Sequence, residues 1–169
     1  MIKNARAIVG AALLAIAGAA SAATPVVIDA VGNSLGGGSA LSTGVFLTAG
    51  ESFSVTANPA DIWNNSFGDV AYDSNADGHD FQMASLGGLY DAIGSLVGEI
   101  GNGPLFHVGT SLSSTAGSTG ELKFFYFDSD AYNNTGAVHA SVSVVPEPGN
   151  VALMGLALAA FALTRRRKA

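Results

Sequence analysis

The chain of 169 residues contains no cysteine. That excludes a disulfide framework, thiolate metal sites and thiol catalysis. Positive charge is nearly absent between the two termini. Of seven basic residues, Lys3 and Arg6 lie near the start and Arg165, Arg166, Arg167 and Lys168 near the end, which leaves Lys123 alone in the middle. Twelve of the 13 acidic residues fall in that same middle, so residues 23–145 carry a net charge of about −11 with neutral histidine. A surface of that sign has almost nothing with which to neutralise phosphates, which argues against a nucleic-acid partner. It suits divalent cations, or solubility outside a cell.

Recognisable enzyme signatures are also missing. The sequence has no His-Glu-x-x-His, and Ala116-Gly117-Ser118-Thr119-Gly120 lacks the leading glycine and preceding strand of a nucleophile elbow. Gly36-Gly37-Gly38-Ser39 reads as a flexible loop outside any strand-to-helix phosphate cradle. We therefore expect a protein that is not an enzyme.

What is present begins with the termini. Lys3 and Arg6 precede an apolar run from Ala7 to Ala20, and Ala20-Ser21-Ala22 offers small residues for cleavage. Residues 1–22 read as a signal peptide for signal peptidase. At the other end stand Pro146-Glu147-Pro148, an apolar run from Val151 to Leu163, and Arg165-Arg166-Arg167. The uncharged stretch is 13 residues, or 17 counted from Pro148 to Thr164. That spans roughly 20–26 Å as a helix, short of a ~30 Å hydrocarbon core. A membrane segment at 151–164 is thus suited to transient anchoring, with its basic end in the cytoplasm.

The three parts of this tail, in this order, resemble the PEP-CTERM sorting signal. The resemblance implies that residues 146–169 hold an exported protein in the membrane until an exosortase cuts near the motif. An ordinary C-terminal membrane anchor is the alternative, and both deliver the body to the cell surface or extracellular matrix.

The body, residues 23–145, is of a size for one domain with one core. Strands are expected at Pro25–Val31, Val45–Leu47, Ser52–Thr56, Ser95–Gly101, Leu105–Val108, Glu121–Phe127 and Ala137–Val145. In the last, Val138, Ala140, Val142 and Val144 alternate with His139, Ser141 and Ser143. Ser111–Gly120 reads as a Ser/Thr/Gly loop, and Met83–Ile93 as the one place for a helix. His107, in an apolar strand, reads as a packed histidine. Short strands with frequent turn signals indicate an all-β fold, an antiparallel β-sandwich.

The loop Phe127-Asp128-Ser129-Asp130-Ala131-Tyr132-Asn133-Asn134-Thr135-Gly136 presents carboxylates and paired amides on a short turn. Such hard oxygens suit calcium, which takes 6–8 oxygen ligands. An Asx-rich hairpin turn is the alternative reading. An aromatic strand, this loop and an alternating strand resemble the LecA-type calcium-dependent galactose-binding lectins, which have a jelly-roll-like sandwich. Gly50–Ala57 followed by Trp63, His79-Asp80-Phe81-Gln82 and Leu96–Gly101 fall in the family's order. The resemblance implies that Asp128 and Asn133 bridge Ca2+ and sugar hydroxyls, and that Asn134 and the Trp63 carbonyl bind the metal. It further implies that His79 and Gln82 hydrogen-bond the sugar. The Asp128–Asn133 interval is two residues shorter than in galactose-binding members, and Asp130 is an extra carboxylate placed to substitute for the missing ligand.

A second acidic loop, Asp73-Ser74-Asn75-Ala76-Asp77-Gly78, matches the first half of a calcium loop through Asp73, Asn75 and Asp77. Ala84 stands where a bidentate glutamate belongs, which excludes a complete EF-hand. Two expectations follow. One is a calcium-dependent module binding galactosides; the other is a structural protein associated with exopolysaccharide or biofilm that does not bind sugar.

Overall fold

The computed structural model describes residues 22–145 and 155–157. The expected signal peptide at 1–22, the motif residues Pro146, Glu147 and Pro148, and Arg165, Arg166 and Arg167 lie outside these, apart from Ala22. So does the segment 151–164, except for 155–157, which are helical. Among the described residues no helix is long and apolar enough to cross a membrane.

The elements run β1 (Thr24–Asp29), β2 (Leu41–Leu47), β3 (Ser52–Ala57), β4 (Trp63–Asn64), a 3-10 turn (Val70–Tyr72) and β5 (Asp73–Ser74). They continue with β6 (Met83–Leu86), β7 (Leu89–Ala92), β8 (Leu96–Ile100), β9 (Phe106–His107), β10 (Ser111–Thr115), β11 (Gly120–Tyr126) and β12 (Thr135–Val145). One sheet has the order β10-β3-β12-β4-β5, with β1 also paired to β12; the other has the order β2-β11-β8-β9. All strand pairs are antiparallel. The body is an antiparallel β-sandwich.

Alternation explains which faces meet. Leu122, Phe124 and Tyr126 of β11 point inward and are fully buried, while Val138, Ala140 and Val142 of β12 do the same from the facing sheet. Trp63, Ile28, Leu47, Val55 and Leu96 complete that core. β12 is the long element that organises its sheet. It pairs with β1 along Ala137–Val142, with β3 along Ala140–Val145 and with β4 at Thr135–Gly136. Its last residue, Val145, is still paired with Ser52.

Two expectations are corrected. Met83–Ile93 is no helix: it holds the hairpin β6–β7, with Leu86 paired to Leu89 across Gly87-Gly88. Both glycines have positive φ (58° and 85°), as a tight two-residue hairpin turn requires. The hairpin's Leu86 and Leu89 cover a second apolar cluster with Val97, Phe127 and Phe125, on the outer face of the four-stranded sheet. Ser111–Gly120 is not wholly loop, because Ser111–Thr115 forms edge strand β10 against β3. There the backbone pairing is made with little apolar burial, only Leu112 packing inward.

Candidate functional site

Residues 128–134 connect β11 to β12, and their backbone is held from three sides. Gly36 N–H donates to the Asp128 carbonyl (2.9 Å) and Ser34 Oγ–H to the Asp130 carbonyl (2.8 Å). Phe67 N–H donates to the Asn133 carbonyl (2.7 Å). The Asn134 side-chain NH2 donates to the carbonyls of Asp130 (2.8 Å) and Ala30 (3.2 Å), which fixes the direction of its oxygen. The Gly36–Ser39 segment is thus a brace packed on this loop. A methyl group at Gly36 would sit 1.9 Å from the Ser129 carbonyl.

What this framework leaves over is oxygen. Asp128 Oδ2, Asp130 Oδ1, Asn133 Oδ1 and Asn134 Oδ1 are all buried without a hydrogen-bond partner, as is the Tyr126 hydroxyl beneath them in the chain. A buried acceptor without a partner costs ~1–3 kcal/mol, more if charged, and such groups are rare in folded proteins. Burial pushes the Asp128 carboxyl above the ordinary carboxylate range. The Ser129 N–H opposes this, the Asp130 charge adds to it, and Asn134 opposes it. Burial, with Asp128 adding, likewise pushes the Tyr126 hydroxyl up. Carboxylate and amide oxygens are the hard ligands that calcium takes, so the donor types within this short loop fit that ion, although among the described residues no three acidic or histidine side chains cluster.

His79 and Gln82 come together through an intermediary the sequence did not indicate. His79 Nε2 lies 3.2 Å from Asn65 Oδ1, and Asn65 Nδ2–H donates to Gln82 Oε1 (3.1 Å). His79 and Asn65 are buried and Gln82 is half-buried. Burial lowers the His79 pKa against the pull of the Tyr72 backbone, Asp80 and Asp73, so the ring is neutral at neutral pH. Phe81 and Tyr72 flank that ring at 4.9 and 6.5 Å between centroids.

Trp63 lies in β4, paired with Gly136 just beyond the loop, and its indole is fully buried. Its Nε1–H donates to the carbonyls of Gly94 (2.6 Å) and Asn75 (3.0 Å), and its ring packs edge-on to Tyr126 at 4.5 Å. Four residues on, the Phe67 backbone bonds to the oxygen-rich loop at the Asn133 carbonyl. Phe67 is, among the described residues, the non-glycine with positive φ (51°).

The second acidic loop is not assembled around one point. Asp73 Oδ1 accepts from Asn64 Nδ2 (2.8 Å), and Asn75 Oδ1 accepts from Asp77 N–H (2.8 Å). Asp77 turns away to accept from Thr110 N–H and Oγ1 (2.7 and 3.1 Å). Nor is His107 a packed histidine: its ring is half-exposed and Nδ1 meets Asp91 Oδ2 at 2.7 Å. Ser95 Oγ–H donates to the same Asp91 oxygen (3.2 Å), so serine and histidine share a carboxylate instead of facing each other. His139, on the polar face of β12 as expected, is exposed and meets Asp61 Oδ2 at 2.8 Å. A cavity of about 210 Å³ lined by Phe53, Ile100, Phe106, Ser114, Thr115 and Gly117 contains no titratable side chain.

The antiparallel sandwich thus carries an oxygen-rich loop and a buried His–Asn–Gln chain. Comparison with solved structures agrees at the level of fold. The N-terminal domain of EclA, described as a PllA-like lectin, matches 71% of this chain and 94% of its own, with a TM-score of 0.51 and 20% identity. Residues 144–168 match the PEP-CTERM protein-sorting motif, which marks the chain for export and sorting to the cell envelope or surface. The match begins inside β12, at Val144. No curated protein matches the chain.

Proposed function

We propose that this exported protein is a calcium-dependent carbohydrate-binding module, non-enzymatic and displayed at the cell surface or in the extracellular matrix after exosortase processing. The observation that carries the proposal is the set of four buried, partnerless side-chain oxygens at Asp128, Asp130, Asn133 and Asn134. A divalent cation supplies the missing partner to all of them, and the half-buried surroundings weaken competing hydration. These four side chains would hold the ion, with Asp130 filling in for the ligand removed by the short loop. The backbone of the 66–67 turn, or the Trp63 carbonyl, would complete its shell.

When bound, the cation provides a hard acceptor site for sugar hydroxyls. The chain's own residues would then fix orientation: Asp128 and Asn133 accept from those hydroxyls, while Gln82, held through Asn65 by the buried neutral His79 ring, hydrogen-bonds the sugar's other side. Single-site affinity for a monosaccharide is weak because little area is buried, so clustering at a surface would raise it by avidity. Galactosides are the first sugars to test.

The test is a thermal melt of the full-length protein in mild detergent, with chelator, with calcium, and with calcium plus galactose or a glycan panel. A calcium-dependent rise in melting temperature, extended further by a sugar, supports the module. No calcium shift sinks it. A calcium shift without response to any sugar assigns the loop to stiffening the sandwich of a structural exopolysaccharide- or biofilm-associated protein.

A further inference from the structure

Phe67 and Tyr132 form an exposed aromatic pair. Their rings lie 5.2 Å apart at 69°, and 68% and 75% of their surfaces remain in solvent. Neither ring serves the core of the sandwich. Both are attached to the oxygen-rich loop. Tyr132 lies in it between Asp130 and Asn133, whose Oδ1 atoms are buried and partnerless. Phe67 is tied to it by its N–H on the Asn133 carbonyl.

The Phe67 backbone is itself unusual. A bulky residue at φ 51° is in a region that L side chains avoid, and the next residue, Gly68, is also at positive φ (83°). A glycine at both positions would relieve the strain at no loss to the core. Instead the turn holds a phenyl ring outward, against Tyr132, beside the loop.

We propose that Phe67 and Tyr132 are a second sugar subsite, a two-ring wall that stacks on the apolar C–H face of the residue following the one held at the cation. This rests on the calcium-dependent sugar reading of the neighbouring loop and specifies its ligand: a glycan chain rather than a free monosaccharide. The chemistry favours a saccharide over an apolar peptide. Both rings are tied to a loop rich in hydroxyl-binding oxygens, Tyr132 by standing next to Asn133 and Phe67 through its N–H on the Asn133 carbonyl (2.7 Å). A pyranose presents just that combination, an apolar face with a rim of hydroxyls. The body's charge of about −11 further selects against acidic glycans and for neutral ones.

The experiment is titration calorimetry on the full-length protein in mild detergent at saturating calcium. The probes are methyl glycosides of galactose, glucose and mannose, each paired with its linear tetrasaccharide. For the sugar that binds, the tetrasaccharide should bind roughly three- to tenfold tighter than the methyl glycoside, the range expected of aromatic contacts. Phe67→Gly and Tyr132→Ser, each separately, should abolish that preference, which is read as the ratio of the two affinities within each variant so that any change at the cation site moves both probes alike. Phe67→Tyr should keep it.

Equal affinity for the two probe lengths, or a preference that survives both substitutions, overturns the subsite and leaves the cation site standing. Failure of every methyl glycoside and every tetrasaccharide overturns both. Melting curves in chelator verify that each variant is folded.

Discussion

Gly36 and Ser129 approach so closely that a single methyl group on Gly36 would overlap the Ser129 carbonyl. The contact joins segments more than 90 residues apart. It is reinforced by Gly36 N–H on the Asp128 carbonyl and by Ser34 Oγ–H on that of Asp130. Gly36→Ala should therefore push the loop away from its brace, costing roughly 1–3 kcal/mol of stability by overpacking. Calcium affinity should fall at least tenfold, read by titration of the ion against the full-length protein. Gly117→Ala, where added bulk meets nothing, is the matched control.

Asp128 links the loop to pH. In the metal-free fold its pKa is raised by burial, so the folded state keeps that proton at pH values where the unfolded chain has lost it. The contribution of this group to stability accordingly rises as pH falls through the raised pKa, and levels off below the ordinary value of 3.8. On the calcium reading, the ion at neutral pH would replace the proton and give the same relief. Asp128→Asn should stabilise the chelated protein at pH 7 by about 1 kcal/mol and remove the calcium shift. Melting wild type and variant across pH, with and without calcium, isolates the effect as a difference.

His79 acts with the opposite sign. Its pKa is lowered in the fold, so the folded state resists a proton that the unfolded chain takes up. Its contribution is intact above the ordinary value of 6.5 and declines as pH falls from there toward the lowered folded pKa. The slope of stability against pH below 6.5 should flatten in His79→Gln. On the proposed sugar-binding reading, in which the neutral ring positions Gln82, affinity should not change between pH 8 and 7 in the wild type.

Asn65 bridges His79 and Gln82, so Asn65→Ala should release both side chains. The expected cost is about 1–2 kcal/mol of stability, because the buried His79 nitrogen loses its partner. Sugar affinity should fall about tenfold with an unchanged calcium midpoint. Loss of calcium affinity in this variant would mean that Asn65 belongs to the metal's surroundings.

Trp63→Phe should cost about 2–4 kcal/mol, through the cavity left in the core and the two carbonyls of Asn75 and Gly94 left without a donor. Calcium binding should survive if the indole's role is packing, as its complete burial indicates.

The parts of this molecule that follow from local pattern were legible in the chain. β11 and β12 alternate residue by residue, and in β12 the inward face is the one read from period two. The oxygen donors were legible from residue type, since Asp128, Asp130, Asn133 and Asn134 lie within seven residues. What escaped depends on contacts distant in sequence or on pairing without burial. β10 has one inward apolar residue, so it leaves almost no hydrophobic signature. The β6–β7 hairpin looked like an interrupted helix because its glycine pair was read as a break instead of a turn. The Ser34–Gly36 brace and the Asn65 bridge hold residues read separately, and nothing local to either announces the partner.

β12 ends at Val145, paired with Ser52, while the match to the sorting motif begins at Val144. Two residues therefore answer to two masters. Val144 packs against the core and Val145 closes the ladder, yet both stand within the segment that matches the sorting motif. Substitutions there should bear on folding and on sorting together, and a cut close to Pro146 would leave a new chain end already stitched into a sheet. The mature terminus would then have no slack, and anything joined to it would inherit the stiffness of the strand.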